Sequence, residues 1–102
     1  MKNYIQVKKK YLFFREDAKN LLKSIYKKIK ENKLKVISLD FSYVDFMSRS
    51  FTDEFLNIMN ELKREGVEVR IICLKAVLKD FTSRVKKTRD RIQNMLLTPE
   101  SR

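Results

Sequence analysis

The chain has 102 residues, of which 24 are Lys or Arg and 13 are Asp or Glu, so its net charge is +11. This length suits one domain, residues 1–102, and 43% hydrophobic residues suffice for a core. Because there is no histidine and a single cysteine, an internal disulfide, a histidine-based catalytic centre and the usual zinc sites are excluded. No apolar run reaches the roughly 20 residues of a membrane span. We expect a cytoplasmic, non-enzymatic protein without metal or cofactor and without membrane contact.

Residues 3–14 contain short β-branched and aromatic stretches on either side of Lys8, Lys9 and Lys10, which is typical of extended chain. The three lysines form either the turn of a hairpin or the exposed part of one bent strand. From Glu16 onward, apolar residues recur at the spacing of a helix. The predicted helix has one apolar stripe: Ala18, Leu21, Leu22, Ile25 and Ile29.

Two short apolar runs, residues 36–41 and 67–74, are typical of strands in a buried central sheet. In the first run, the alternation of side chains along a strand places Ile37, Leu39 and Phe41 on one face. Both runs are followed by helical patterns, so we expect them to be parallel neighbours in the sheet.

A second helical stripe follows a link over residues 43–47. Ser50 lies three residues before Asp53, as in a capping box, so we expect this helix to begin near Ser50. Gly66 follows two basic residues and is placed to end the helix. The stripe consists of Phe51, Phe55, Ile58, Met59 and Leu62.

The last helical pattern runs for about twenty residues until Pro99. This helix is longer than a small sheet can cover, so part of its apolar stripe extends beyond the sheet. An uncovered apolar stripe predicts self-association, and hence a homodimer, through residues 85–97. Residues 86–102 form a basic C-terminal extension of this helix. The alternating elements predict an α/β fold of βαβαβα type with a mostly parallel central sheet. The predicted stripe consists of Val77, Phe81, Val85, Thr88, Ile92 and Leu96.

The stretch from Leu39 to Leu62 resembles the STAS domain, and more closely the small STAS-like domains of unknown function. In those domains an apolar strand ending in Leu-Asp-Phe leads to a turn and a Ser-Arg-Ser-Phe-x-Asp-Glu string that opens a helix. That string is present here at residues 48–54. Residues 14–18, Phe-Arg-Glu-Asp-Ala, also resemble the family, and the likeness extends over roughly residues 4–85.

The resemblance implies a regulatory protein–protein interaction module whose second helix binds the partner at its N-terminal end. In anti-sigma factor antagonists an Asp-Ser-Ser-Gly motif lies there, and a kinase phosphorylates the first serine. Here Arg49 occupies that phosphoacceptor position, so the candidate phosphoacceptors are its neighbours Ser48 and Ser50. The implied partner is a histidine-kinase-like ATPase or a sigma-factor regulator. The implied partner-binding residues are Asp45, Met47, Ser48, Arg49, Ser50, Thr52 and Asp53.

The excess charge indicates a second function, contact with nucleic acid through a basic patch. Residues 36–66 carry six acidic and three basic side chains, so the positive charge lies in the two ends of the chain. We interpret most of it as a solvated basic shell. The candidate nucleic-acid contacts, if the two ends converge, are Lys8, Lys9, Lys10, Lys86, Lys87, Arg89 and Arg91.

Three further residue groups have a structural and a functional interpretation. Asp40 and Asp45 flank a turn, and paired carboxylates can hold a divalent cation or perform acid–base chemistry. No further ligand cluster in the sequence supports that role. Cys73 lies within an apolar run, which predicts a buried, inert thiol. The predicted core aromatics are Phe13, Phe14, Phe46, Phe51, Phe55 and Phe81.

Overall fold

The computed structural model describes the backbone of residues 3–97 and the side chains of residues 3–92. It has the predicted α/β architecture, in which short strands alternate with three helices. The elements in chain order are β1 (Tyr4–Gln6), β2 (Tyr11–Leu12), α1 (Arg15–Asn32), β3 (Val36–Asp40), β4 (Phe46–Met47), α2 (Arg49–Arg64), β5 (Glu68–Ile72) and α3 (Ala76–Leu97).

The main sheet has three parallel strands in the order β1-β3-β5, and its register aligns Ile5 with Leu39 and Leu39 with Ile71. Both crossovers move one position in the same direction, and right-handed connections therefore place α1 and α2 on the same face. The two helices pack against each other, and α3 packs against α2. A second, two-stranded parallel sheet joins β2 to β4.

The core lies between the main sheet and the helices. The predicted face of β3 is fully buried, since Ile37, Leu39 and the following Phe41 have no exposed surface. Parallel strands and their crossover helices can bury an apolar face in this way. The helices supply further buried apolar residues: Ala18, Ile25, Phe51, Phe55, Ile58 and Leu62.

The N-terminal segment forms no hairpin. Residues 8–10 connect β1 to β2, but β1 pairs with β3 and β2 pairs with β4, so the two strands belong to different sheets. The sequence predicted a link without a strand over residues 43–47, but its last two residues form β4, which pairs with β2. Two-residue strands carry too little periodicity to be recognised from the sequence, and their pairing is non-local.

Helix α2 begins two residues earlier than predicted. Its N-cap is Ser48, and Ser50 lies within the first turn. The reason is that β4 ends at Met47, and the Ser48 N–H donates to the Leu12 carbonyl at 2.8 Å, so the chain is free to turn into a helix directly afterwards. The predicted end is confirmed, since Gly66 follows the helix with φ of 87°, a conformation that glycine adopts without strain.

The predicted apolar stripe of α3 is only partly correct. Val85 is buried as predicted, but Val77 and Ile92 are 69% and 51% exposed. Leu78, which was not predicted, is buried. In the loop that precedes this helix, Cys73 has φ of 59°. Cys73 lies beyond the end of β5 and is exposed, so the prediction of a buried thiol is wrong. The side chain of Leu96 and residues 98–102 lie outside the described part of the chain.

Helices α1 and α2 are joined at one end by Tyr26. Its hydroxyl donates towards Glu65 at 2.9 Å and Glu61 at 3.2 Å. Hydrogen bonding to Glu65 and partial burial, with a smaller contribution from Glu61, raise the pKa of Tyr26 to about 12. Helix α1 is therefore held to the C-terminal end of α2 by a bond that persists at neutral pH. Among residues 3–97, no helix has both the length and the apolar character needed to cross a bilayer.

Candidate functional site

The N-terminal end of α2 is built around Ser48. Its Oγ accepts a hydrogen bond from the Phe51 N–H at 3.0 Å, which satisfies one of the unpaired donors at the start of the helix. The same hydroxyl donates to the Phe13 carbonyl, and the Ser48 carbonyl accepts from the Thr52 hydroxyl at 2.9 Å. Ser48 therefore connects the start of α2 to the segment that precedes α1.

The predicted partner-binding residues divide into a buried group and a surface group. Met47 is 3% exposed and Thr52 is fully buried, so these two side chains support the site from within. The four residues on the surface are Asp45, Arg49, Ser50 and Asp53.

The surface group consists mainly of paired charges. Arg49 and Asp53 form an ion pair one helical turn apart at 3.5 Å, and Arg89 of α3 lies 3.7 Å from the same carboxylate. Asp45 pairs with Lys75, and this hydrogen bond, against a smaller opposing effect of burial, lowers the pKa of Asp45. Exposed pairs of this kind contribute little to stability but define the charge pattern of the surface.

Beside this end of α2 lies a cluster of exposed aromatic rings, which we call the aromatic cluster: Tyr11, Phe13, Phe14 and Phe46. The Phe13 ring is central, with its centroid 6.0 Å from that of Tyr11, 6.1 Å from that of Phe14 and 5.3 Å from that of Phe46. The prediction that Phe13, Phe14 and Phe46 belong to the core is wrong, because they are 47%, 68% and 42% exposed. One signal was present: successive side chains of extended chain point in opposite directions, so Phe13 and Phe14 do not both reach one core.

An apolar cleft of about 380 Å³ continues the aromatic cluster across the start of α3. Phe46 belongs to both features, so the exposed apolar surface is continuous. The cleft exists because α3 begins with Val77 facing outward and Leu78 facing inward. Its lining residues are Phe46, Met47, Ser48, Arg49, Val77, Leu78 and Phe81.

Asp17 holds the aromatic cluster in place and was not among the predicted site residues. Its carboxylate accepts from the Phe13 N–H at 3.2 Å and the Phe14 N–H at 3.1 Å, and it pairs with Lys9 at 2.7 Å. Burial raises its pKa, but the Lys9 ammonium and the backbone donors outweigh that effect, so the pKa of Asp17 lies below its usual value. The carboxylate also closes the N-terminal end of α1, where negative charge is favoured.

Asp40 and Asp45, which flank the turn after β3, form hydrogen bonds and ion pairs with different residues. Tyr4 donates its hydroxyl to Asp40, which also accepts from the Ser42 N–H at 2.8 Å, and these bonds lower the pKa of Asp40. Asp45 pairs with Lys75 instead. Within residues 3–92, no group of three or more acidic, His or Cys side chains is placed to hold a metal ion. Asp40 and Asp45 are therefore bonded to different neighbours.

The candidate nucleic-acid contacts have different neighbours in the structure. Lys8 borders a cleft beside β1 and α1, whereas Lys86 borders two clefts along α2, and no residue is shared between the two regions. Lys9 is paired with Asp17, and Arg89 bonds to the Asp53 carbonyl and the Asn57 side chain. The other candidate nucleic-acid contacts are exposed: Lys10, Lys87 and Arg91.

Comparison with known proteins identifies the fold family. The family model described as the STAS domain matches residues 10–95. Searches of curated proteins and of solved structures returned no match. Because the match covers most of the chain, this protein belongs to the STAS domain family, as the residues around the start of α2 predicted.

Proposed function

We propose that this STAS domain is a non-enzymatic regulatory module that binds a protein partner through the N-terminal end of α2. The observation that carries the proposal is the aromatic cluster together with the cleft beside it, which we call the docking surface. Large exposed aromatic groups that are continuous with an apolar cleft are typical of protein-binding surfaces. The family supports the same function, because STAS domains act in regulation by binding other proteins.

The docking surface has the composition of a binding site with a few dominant contacts. Aromatic rings bury a large area with few rotatable bonds, so they lose little conformational entropy on binding. Arg49 and Asp53 provide a polar rim next to the apolar centre. A partner that fits this surface presents an apolar side chain to the cleft and polar groups to the rim.

The partner class that the family favours is a histidine-kinase-like ATPase or a sigma-factor regulator. Such a partner would be controlled by occupancy of the docking surface. Ser50 is better suited than Ser48 as a phosphoacceptor, because it is exposed in the first turn of α2, whereas the Ser48 hydroxyl is used in both directions within the fold. A phosphate at Ser50 would be stabilised by the helix N-terminus and by Arg49, and would change the charge of the rim.

The proposal is tested by replacing one ring of the aromatic cluster. The full chain and its Phe13→Ala variant serve as immobilised baits in an extract of the source cells, and quantitative mass spectrometry identifies the bound proteins. We expect Phe13→Ala to reduce recovery of the specific partners by about tenfold or more, the size of a central interface contact. Tyr43→Ala is the matched control, because Tyr43 is an equally exposed aromatic residue outside the cluster.

Two results would contradict the proposal. Equal recovery of every bound protein by wild type, Phe13→Ala and Tyr43→Ala would show that the aromatic cluster does not bind partners. Nuclease-sensitive binding that is lost on charge reversal at Lys86 and Lys87, but not in Phe13→Ala, would instead favour contact with nucleic acid.

A further inference from the structure

Strand β5 has an open edge. It pairs with β3 on one side only, through bonds such as Glu68 N–H to the Lys35 carbonyl at 2.8 Å and Phe41 N–H to the Ile72 carbonyl at 3.0 Å. Alternate residues of a strand direct their backbone groups to opposite sides, so those of Val69 and Ile71 face away from β3. No other strand within residues 3–97 covers that edge. An uncovered edge of five residues is long enough to pair with another strand.

A cleft of about 580 Å³ lies next to this edge. One wall is β5 and the turn before it, and the other walls are the C-terminal half of α2 and Lys86 of α3. The cleft therefore provides space beside the open backbone groups, on the same face of the sheet as the helices. Its lining residues are Met59, Asn60, Lys63, Gly66, Val67, Glu68, Val69 and Lys86.

The charges on the outer face of β5 are self-complementary. Glu68 and Arg70 both point away from the helices, are 58% and 61% exposed, and pair with each other at 2.7 Å. In an antiparallel pair of β5 strands centred on Val69, each Glu68 lies directly opposite Arg70 of the second copy. Centring on Arg70 would place two arginines opposite each other, and centring on Ile71 would leave both charges without an opposite partner.

We propose that the open edge of β5 binds β5 of a second copy of this chain, antiparallel and centred on Val69. The result is a symmetric dimer with one continuous six-stranded sheet, in which the same surface is used by both copies. The Val69 side chains meet on the helix face, and two Glu68–Arg70 pairs form on the outer face. This dimer is independent of the docking surface.

Charge reversal tests both the surface and the register. Sedimentation equilibrium of the full chain gives the dissociation constant of the dimer for wild type, Glu68→Arg, Arg70→Glu and the double exchange. Each single change places like charges opposite each other twice, so we expect about tenfold or greater weakening of the dimer. The double exchange restores opposite charges at both positions, and we expect it to restore dimerisation. Asp80→Arg, which breaks an exposed pair with Arg84 on α3, is the control for a general charge effect.

A disulfide provides a second measurement that does not depend on charge. In a Cys73→Ser background, Val69→Cys places two thiols on the symmetry axis with Cα atoms about 5.5 Å apart, within the range of a disulfide. We expect rapid crosslinking of Val69→Cys and slow crosslinking of Ile71→Cys. A wild-type protein that stays monomeric up to millimolar concentration, or single reversals that leave the dimer unchanged, would overturn the proposal. Failure of the double exchange together with absence of the Val69→Cys crosslink would also overturn it.

Discussion

Six of the seven phenylalanines form two clusters that have opposite exposure. Phe41, Phe51 and Phe55 are buried, with ring centroids 5.6 Å apart in both neighbouring pairs. Phe13 and Phe46 belong to the aromatic cluster and remain nearly half exposed although their centroids lie 5.3 Å apart. The same residue type is thus buried in the core in one place and exposed to solvent in the other. The difference depends on whether a helix covers the rings.

Ser48 is the point at which the two clusters meet. Its hydroxyl accepts from the N–H of Phe51 in the buried cluster and donates to the carbonyl of Phe13 in the exposed one. Only the Ser48 side chain therefore separates the backbone of Phe13 from the first turn of α2. This gives a direct physical connection between the docking surface and the core helix.

The largest expected effect is on the free energy of unfolding, which removal of a ring from the buried cluster lowers far more than removal of a ring from the aromatic cluster. Phe55→Ala removes a buried ring and leaves a cavity between Phe41 and Phe51, so we expect the free energy of unfolding to fall by about 3–5 kcal/mol. Phe13→Ala removes a half-exposed ring, and we expect a loss of about 0.5 kcal/mol or less. Urea unfolding followed by circular dichroism measures both. A similar loss for the two variants would show that the aromatic cluster is structural.

A smaller effect is expected at the residue between the clusters. Ser48→Ala removes the N-cap of α2, so we expect a loss of about 0.5–2 kcal/mol in the free energy of unfolding. Ser50→Ala is the matched control and changes stability by less than about 0.5 kcal/mol, since Ser50 is exposed and does not cap the helix. If Ser50→Ala lowered the free energy of unfolding more than Ser48→Ala, the result would favour Ser50 as the N-cap, as the sequence predicted.

A further moderate effect concerns the support of the aromatic cluster by Asp17. Asp17→Asn weakens the bonds to Lys9 and to two backbone donors, so we expect a loss of about 1 kcal/mol at neutral pH. The pKa of Asp17 is lowered in the folded state. Its contribution is therefore complete above the ordinary Asp pKa of about 4 and is lost as the pH falls through the lower folded value. The difference between wild type and variant is measured by urea unfolding at a series of pH values. A difference that does not shrink in acid would contradict this role.

Much of the fold follows from local patterns. The apolar stripe of α1, the buried face of β3 and the glycine after α2 were predicted correctly because each depends on nearby spacing. The strings around the start of α2 also identified the family. The short strands β2 and β4 were not predicted as a pair, because their residues are joined by contacts more than thirty positions apart.

For the candidate site, the structure corrects the exposure that the sequence predicted for several residues. The sequence placed it at the start of α2, yet it assigned Thr52 and Met47 to the surface and Phe13 to the core. Exposure is decided by which elements cover a residue, and neither helical nor strand periodicity reports that. Asp17 was missed for a related reason: its role depends on donors of the chain that precedes α1, which become available only once that segment turns into the helix.

By itself, the sequence determined the α/β class, the order of the three helices and the three main strands, and the STAS family, because periodicity and short strings are local properties. Its composition also removed histidine-based chemistry from consideration. The tertiary structure decided which apolar side chains are buried and which are exposed. Tyr11, Phe13, Phe14 and Phe46 come together as an exposed cluster beside the β2–β4 pair. Net charge is a property of the whole chain, whereas a binding surface requires side chains that folding brings together.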